Sequence, residues 1–373
     1  MNMMASAVDG SSDLFVPSFE VWIGERKLDR QVVRDVLDVS FHDSLDGLGG
    51  FSLTLANWDA DKYAYAYSDQ HLFDPGRKLD LRMGYAGAGR MSWMIRGVIT
   101  DLTPSFPASG APTLQVSGRN RLHDLLRQRQ SKVYTESNLS LAARIIRDVP
   151  DLRLDADAAS VAAELTLDAI VQENEFDLVF LKRRARQLGY ELIVGEDDDG
   201  TVLRLVNTTL RRDDALRLAY RSARGGFPLL EFQPRFSTAR QSASLELHGW
   251  NARDKRPIKV SVGRAQLGLR DPDFDRGVIA AAVGERTEIV SDEPVQDEAE
   301  GMRRATDYLE RIVRETMTAT GRTAGLTDLR AGTVLEITGV GERFNGRWLT
   351  TGTDHIIGSG GYVTGFSCRR EER

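Results

Sequence analysis

The sequence predicts a β-rich α+β protein with two related antiparallel β-barrels. An α+β insertion separates them, and a helical insertion interrupts the second. Three observations carry this reading. Apolar residues alternate at period two through the first third of the chain and again near its end. The period changes to that of a helix in between. Two distant stretches also repeat one another.

The repeat is clearest in residues 330–370, RAGTVLEITGVGERFNGRWLTTGTDHIIGSGGYVTGFSCRR. Val334, Glu336 and Thr338 alternate with Leu335 and Ile337, and glycine turns separate three strand signals. Upstream, Gly76, Leu79, Asp80 and Leu81 match Gly332, Leu335, Glu336 and Ile337 in type and spacing. Ser109, Gly110, Val116, Ser117 and Arg119 match Ser359, Gly360, Phe366, Ser367 and Arg369.

In chain order, residues 1–14 are small and polar and are expected to be disordered. Residues 15–130 are expected to form the first barrel, and their six or so short antiparallel strands with glycine between them read as a barrel or sandwich. Its strand signals are Phe19–Val21–Ile23, Leu37–Val39–Phe41, Phe51–Leu53–Leu55 and Leu79–Leu81–Met83–Tyr85. GYAGAGR reads as a hairpin tip, and Leu122, Leu125 and Leu126 predict a short helix. Residues 131–227 form the expected α+β middle domain. One helix lies in LSLAARIIRDV, capped by Ser137 or Asn138. A stronger one carries Leu178, Leu181, Ala185 and Leu188 as an apolar stripe, with Asn174 as cap, Asp177 completing a box-like start and Gly189 ending it. A hairpin across EDDDG joins Tyr190–Val194 to Val202–Val206. Residues 228–262 and 324–373 are the expected second barrel. The insertion, 263–323, ends in a helix over about 296–318 with Ala299, Met302, Ala305, Leu309, Ile312 and Val313 on its apolar face.

Composition sets the class. The chain has 373 residues, 41% hydrophobic and 28% charged, enough for several globular units. A net charge of −6 carries no global footprint for nucleic acid. Cys368 is the one cysteine, which excludes an intrachain disulfide and a thiolate metal cluster. MNMMASAVDGSSD lacks the pattern of a signal peptide, and no apolar run is long enough to span a membrane, so cytoplasmic folding is expected.

The pattern GxxLxIxGxGxxFNGxWxxTxxxHxxxxGGYxTxFxxRR resembles the end of the phage late-control D, or contractile-tail baseplate hub, family. Its hub portion is shared with type VI secretion spike proteins. QxNExDxxFLxxxAxxxGYE resembles the segment this family carries between its two barrels. LLEFQPRF followed by LELHGWNA resembles the start of the second barrel. The resemblance covers about 15–370 and is weakest at 263–323. It implies a structural, non-enzymatic hub, a homotrimer whose six barrels adapt a sixfold inner tube to a threefold spike and nucleate the tube. Implied partners are the inner tube protein, a spike, baseplate wedge and other baseplate components. The particle would be assembled in the cytoplasm and sit in a phage tail or injection baseplate. The chain ends soon after the motif, so a hub with a separate spike is expected.

The residues offer little chemistry of their own. His42, His71, His123, His248 and His355 are scattered without metal-ligand spacing, and no catalytic, cofactor or metal residues are assigned. Asp197, Asp198 and Asp199 with Gly200, and Asp271, Asp273 and Asp275, read as solvated acidic turns lacking the calcium-loop pattern. The cations Lys182, Arg183, Arg184 and Arg186, and Arg253, Lys255, Arg256 and Lys259, read as a solvated face or a subunit interface. Two other functions stay open on the residues alone: a tail-associated peptidoglycan hydrolase and a stand-alone β-rich binding module.

Overall fold

The computed structural model describes residues 16–87, 91–135, 138–147, 149, 151–156, 170–187, 190–206, 215–221, 227–251, 254–268, 275–291, 295 and 297–370. The expectations for 1–14, Ser137, Leu188, Gly189, Asp271 and Asp273 fall outside them, as do the side chains of Asn138 and Asp275.

The alternating stretches form strands. The first module contains β1 (Val16–Ile23), β2 (Val36–Ser44), β3 (Gly50–Ala56), β4 (Lys78–Ala86), β5 (Ser92–Ser105) and β6 (Thr113–Asn120). They lie in the order β1-β4-β5-β6-β3-β2, every pair antiparallel. Val21, Val39, Phe41, Leu53, Leu55, Leu79, Leu81 and Met83 fill the core, as period two requires. Leu37 departs from its expected face. A register shift between Val36 and Asp38 turns it outward, and it is 51% exposed. A six-residue helix, α1 (Arg30–Asp35), precedes β2. Leu122 and Leu125 are buried in a 3-10 turn, Arg121–Leu126.

The middle unit contains β7 (Arg129–Tyr134), α2 (Asn138–Ile146), β8 (Leu152–Ala156), β9 (Ile170–Phe176), α3 (Asp177–Gln187), β10 (Glu191–Asp197) and β11 (Gly200–Val206). Leu178, Leu181 and Ala185 are buried as expected. Asn174 is not the helix cap. It lies in β9 with φ 46°, three residues before α3 begins at Asp177. The Gln172 amide instead donates to the Asp177 carboxylate at 2.8 Å and to the Glu175 carbonyl at 3.1 Å. The hairpin β10–β11 forms, with Asp198 and Asp199 at its turn.

The second module is a closed ring of β12 (Leu216–Ala219), β13 (Phe227–Phe236), β17 (Met317–Ala324), β18 (Val334–Thr338), β19 (Gly346–Gly358) and β20 (Gly361–Arg370). The ring order is β12-β18-β19-β20-β17-β13, and β13 returns to β12. Two expected boundaries move. Residues 216–219 fall in the expected middle domain, yet β12 runs parallel to both β13 and β18 and closes the barrel. Four residues show too little alternation to announce a barrel strand.

Residues 244–262 were assigned to the second barrel. They form β14 (Ser244–Asn251) and most of β15 (Arg256–Gly263), which pair with each other and with β16 (Thr287–Val290), not with the barrel. Helix α4 (Glu298–Arg314) packs on this small sheet through Ala305, Leu309 and Val313. The insertion therefore leaves the barrel after Phe236 and returns at Met317. On α4, Met302 and Ala299 face out, and Gly301 lies close to Ile258 and Val260 in their place. The expected helix end at Thr318 fails because Met317 already belongs to β17.

Candidate assembly interface

β19 is the strand through which the two modules meet. Its first residues pair with β18, then Gly352–Ile357 pair with Val39–Ser44 of β2, and β20 covers its other edge. One strand thus serves both modules. It carries Ile357 into the core of the first module, where Tyr362 of β20 joins it.

His355 sits in the middle of this seam and is fully buried. Its Nε2 lies 2.9 Å from the Leu329 carbonyl, which can only accept, so Nε2 carries the proton. Nδ1 then accepts from the Tyr362 and Thr364 hydroxyls at 3.0 and 3.1 Å. Burial, with the Arg330 guanidinium nearby, drives the imidazole down to about 3, so it is neutral. Arg330 is the bolt. Its Nε donates to Asp43 at 2.9 Å, its other nitrogens reach the Trp93 and Met94 carbonyls at 3.3 and 3.1 Å, and it stacks 4.6 Å from the Phe41 ring. Across the outer face His42 and Asp354 lie 2.8 Å apart. That hydrogen bond raises the histidine's pKa and lowers the carboxylate's.

The basic residues of α3 are not a free, solvated face, because they find partners within the chain. Lys182 Nζ donates to three consecutive carbonyls, Leu45, Asp46 and Gly47, at 3.1, 2.9 and 2.9 Å. Burial and then the Arg186 charge lower its pKa. Arg186 pairs with Asp46, Arg183 with Glu175 at 2.5 Å, and Arg184 is buried. The cluster pins the middle unit to the β2–β3 turn. No pattern of spacing could show this for Lys182 and Arg186, because the groups they meet at Leu45, Asp46 and Gly47 are far away in sequence.

The acidic turn docks likewise. Trp93 Nε1 donates to Asp198 at 3.0 Å, Arg96 to the Asp198 carbonyl at 3.1 Å, and Arg153 to Asp197 at 2.7 Å. Beneath it lies a cleft of about 500 Å³ lined by Trp93, Glu196, Arg204, Asp328 and Arg330 among others. Burial raises the Glu196 carboxyl to about 7, against a hydrogen bond from Thr201 at 2.9 Å.

Of the remaining histidines, His71 meets Asp74 at 2.8 Å, His248 meets Glu246 at 3.2 Å, and His123 is exposed. Burial pushes the Cys368 thiol up, away from reactivity. Among the described residues no group of three His, Cys, Asp or Glu is placed to hold a metal. No described helix is long and apolar enough to cross a membrane. Lys255, Arg256 and Lys259 lie on or beside the β14–β15 hairpin, where Lys259 pairs with Glu246 and Arg256 with Asp254. Arg253 falls outside the described residues.

A family model described as the Alg8 N-terminal domain matches residues 15–359. No curated protein matches the chain by sequence. Among solved structures, the chain resembles a 43 kDa tail protein of prophage MuSo2 from Shewanella oneidensis, at 15% identity, TM-score 0.69, covering 95% of this chain and 98% of that one. It resembles a tail protein from Neisseria meningitidis at 13% identity, TM-score 0.69, covering 96% and 97%. It also resembles an Escherichia coli component of the type VI secretion system at 15% identity, TM-score 0.55, covering 91% and 74%. At these identities the likeness is one of fold, and the fold is one shared by phage tail proteins and a type VI secretion component.

Proposed function

This chain belongs to the Alg8 N-terminal domain family, and from its likeness in fold to phage tail proteins we propose that it is the structural baseplate hub of a contractile phage tail or phage-tail-like injection system. In this reading it is a homotrimer that adapts a sixfold inner tube to a threefold spike and starts tube assembly. Its partners are the inner tube protein, the spike and the baseplate wedge. Assembly takes place in the cytoplasm, and the role is mechanical, not catalytic.

One observation carries the reading: the two six-stranded modules share a single spatial order of strands and are joined through β19. Three such chains present six equivalent modules on one face and threefold symmetry on the other, as an adaptor between those symmetries requires. The bolts at Arg330 and Lys182 support it, since an adaptor under load has to hold its parts in one fixed arrangement. The test is mass in solution by light scattering, alone and with the tube protein, joined to deletion of the gene. A trimer, and particles that lack tubes after deletion, are expected. A monomer under both conditions at tens of micromolar, or tubes of normal length and number without the gene, would overturn the proposal.

A further inference from the structure

In each module the long strand of the last hairpin runs on past the strand on its other edge, β4 in the first and β18 in the second. β19 is covered on that edge by β18 as far as Leu349 and by β2 from Gly352 to Ile357. β5 is covered by β4 as far as Val98, and from Thr100 onward no described strand lies along that edge. The other half of the seam shows the same contrast. β2 is covered by β19, whereas its counterpart β13 is covered by β12 only at Phe227 and Pro228. Among the described residues there are therefore one finished seam and two open edges that correspond to its halves.

The bulges set the register between those halves. β5 shifts between Ile99 and Asp101 against β6, and β19 shifts between Thr350 and Gly352 against β20. β2 shifts between Val36 and Asp38, and β13 between Leu229 and Glu231. Aligned on these shifts, the seam pair Asp354–His42 becomes Thr103–Arg235, and Ile357–Val39 becomes Phe106–Phe232. Ile357 is buried at 8% exposure, while Phe106 is 56% exposed.

The central pair differs in kind. Leu45 N donates to Thr351 O at 2.9 Å, so antiparallel alternation makes Phe41–His355 a hydrogen-bonded pair. Its counterparts are Pro234 and Pro104, which have no N–H to give. The bonds Asn57 N to Pro112 O and Ser237 N to Thr316 O show, by the same alternation, that both proline nitrogens face the open edges. Proline on an open edge blocks unselective strand pairing. Beside Phe106 the first module also adds an aromatic hairpin. Tyr65 lies 5.1 Å from Phe106 and 5.7 Å from Trp58, and Tyr63 is exposed.

We propose that a second copy of this chain occupies these edges. The β5 arm of one chain, Thr100–Phe106, lies antiparallel along β13 of the next, with Thr103 opposite Arg235 and Pro104 facing Pro234. The contact is made chiefly by side chains, Phe106 and its aromatic neighbours covering Phe232, and Asp101 standing diagonal to Arg235. Repeated head to tail, the contact closes at three chains. It rests on the trimeric hub reading and specifies the surfaces that reading needs.

Oxidative cross-linking tests it. The double variant Thr103→Cys, Arg235→Cys is expected to give a reducible covalent trimer. Thr103→Cys with Gln233→Cys, two residues out of register, is expected to give none, because diagonal Cα atoms lie beyond about 7 Å. Cys368 is buried and does not compete. Phe106→Asp is expected to weaken the trimer at least about tenfold while the single chain stays folded, since Phe106 is exposed in it. Trimers by light scattering without in-register cross-links, or equal cross-linking by both pairs, would overturn this docking and leave the hub standing. A monomer at all concentrations would overturn both.

Discussion

In the first module β1 runs antiparallel to β4, and no ladder joins β1 to β2. In the second, β12 takes the place of β1 but runs parallel to β18 and β13, and so shuts the ring. The strand order and the turns of the two follow one plan. Gly76 donates to Ile99 O at 2.8 Å and Ile99 to Arg77 O at 2.9 Å; Gly332 donates to Thr350 O at 2.8 Å and Thr350 to Thr333 O at 2.9 Å. Both glycines are left-handed, at φ 90° and 87°, which a side chain would strain. The outward leucines at the paired bulges, Leu37 and Leu230, are equally exposed, at 51% and 58%.

Each module also lays an aromatic ring across a facing glycine, in opposite senses: Phe51 of β3 over Gly118 of β6, and Phe366 of β20 over Gly321 of β17. The comparison teaches that the plan is set by turns, bulges and ring-over-glycine contacts. How the last gap is filled is free to differ. The first module fills it with a strand lent by the second.

Breaking that loan should have the largest effect. Arg330→Ala leaves Asp43 buried without its cation and should cost about 3–5 kcal/mol. In chemical denaturation it should split one transition into two if the seam is what couples the modules; a single unshifted transition would show that the lent strand is dispensable.

Next come Leu178→Ala and Leu181→Ala. Both side chains pack in the core of the middle unit, so each should cost about 2–5 kcal/mol by denaturant titration.

Acid sharpens the comparison further. The His355 pKa is depressed on folding, so the stability it contributes is present above about 6.5 and is lost as pH falls toward about 3. The Glu196 pKa is raised, so its effect runs the other way: folding is favoured below about 4.5 and loses that advantage as pH rises through about 7. Between pH 7.5 and 5 each amounts to about 2 kcal/mol, with opposite signs. The native chain should therefore show a flat profile for these two groups. Glu196→Gln should expose acid lability, and a neutral replacement at His355 should make the protein more stable in acid than at pH 7.5. Parallel pH profiles for the two variants would contradict the assignment.

Gly321→Ala would put a methyl 2.4 Å from the Phe366 ring and should cost about 1–3 kcal/mol, with partial recovery on adding Phe366→Leu. At the small end, Leu37→Ser and Leu230→Ser should each stay within about 0.5 kcal/mol of the native stability. A larger loss at only one of them would mean that the two bulges are not equivalent.

Most of the strands, the helix stripe and the repeat are legible in local spacing alone. Period-two alternation around Leu53, Leu81 or Ile337 and the 3-4 spacing of Leu178, Leu181 and Ala185 are local facts, set by backbone geometry and by which side must be buried. Gly76 and Gly332 were legible as a matched pair for the same reason. Only the tertiary structure decided what those elements touch. Alternation cannot say that Leu216–Ala219 runs parallel to its neighbours, nor that Ser244–Gly263 pairs under α4 and not in the barrel, because a strand's partners are not written in its own period. One inserted residue turned Leu37 outward, and spacing alone does not announce a bulge. The charges on α3 read as solvated until their acceptors were brought to them. Lys182 is satisfied by carbonyls at Leu45–Gly47, and Arg330 by Asp43, across separations that local spacing cannot reach. A buried cation needs partners within hydrogen-bonding distance, and only the folded chain supplies that distance.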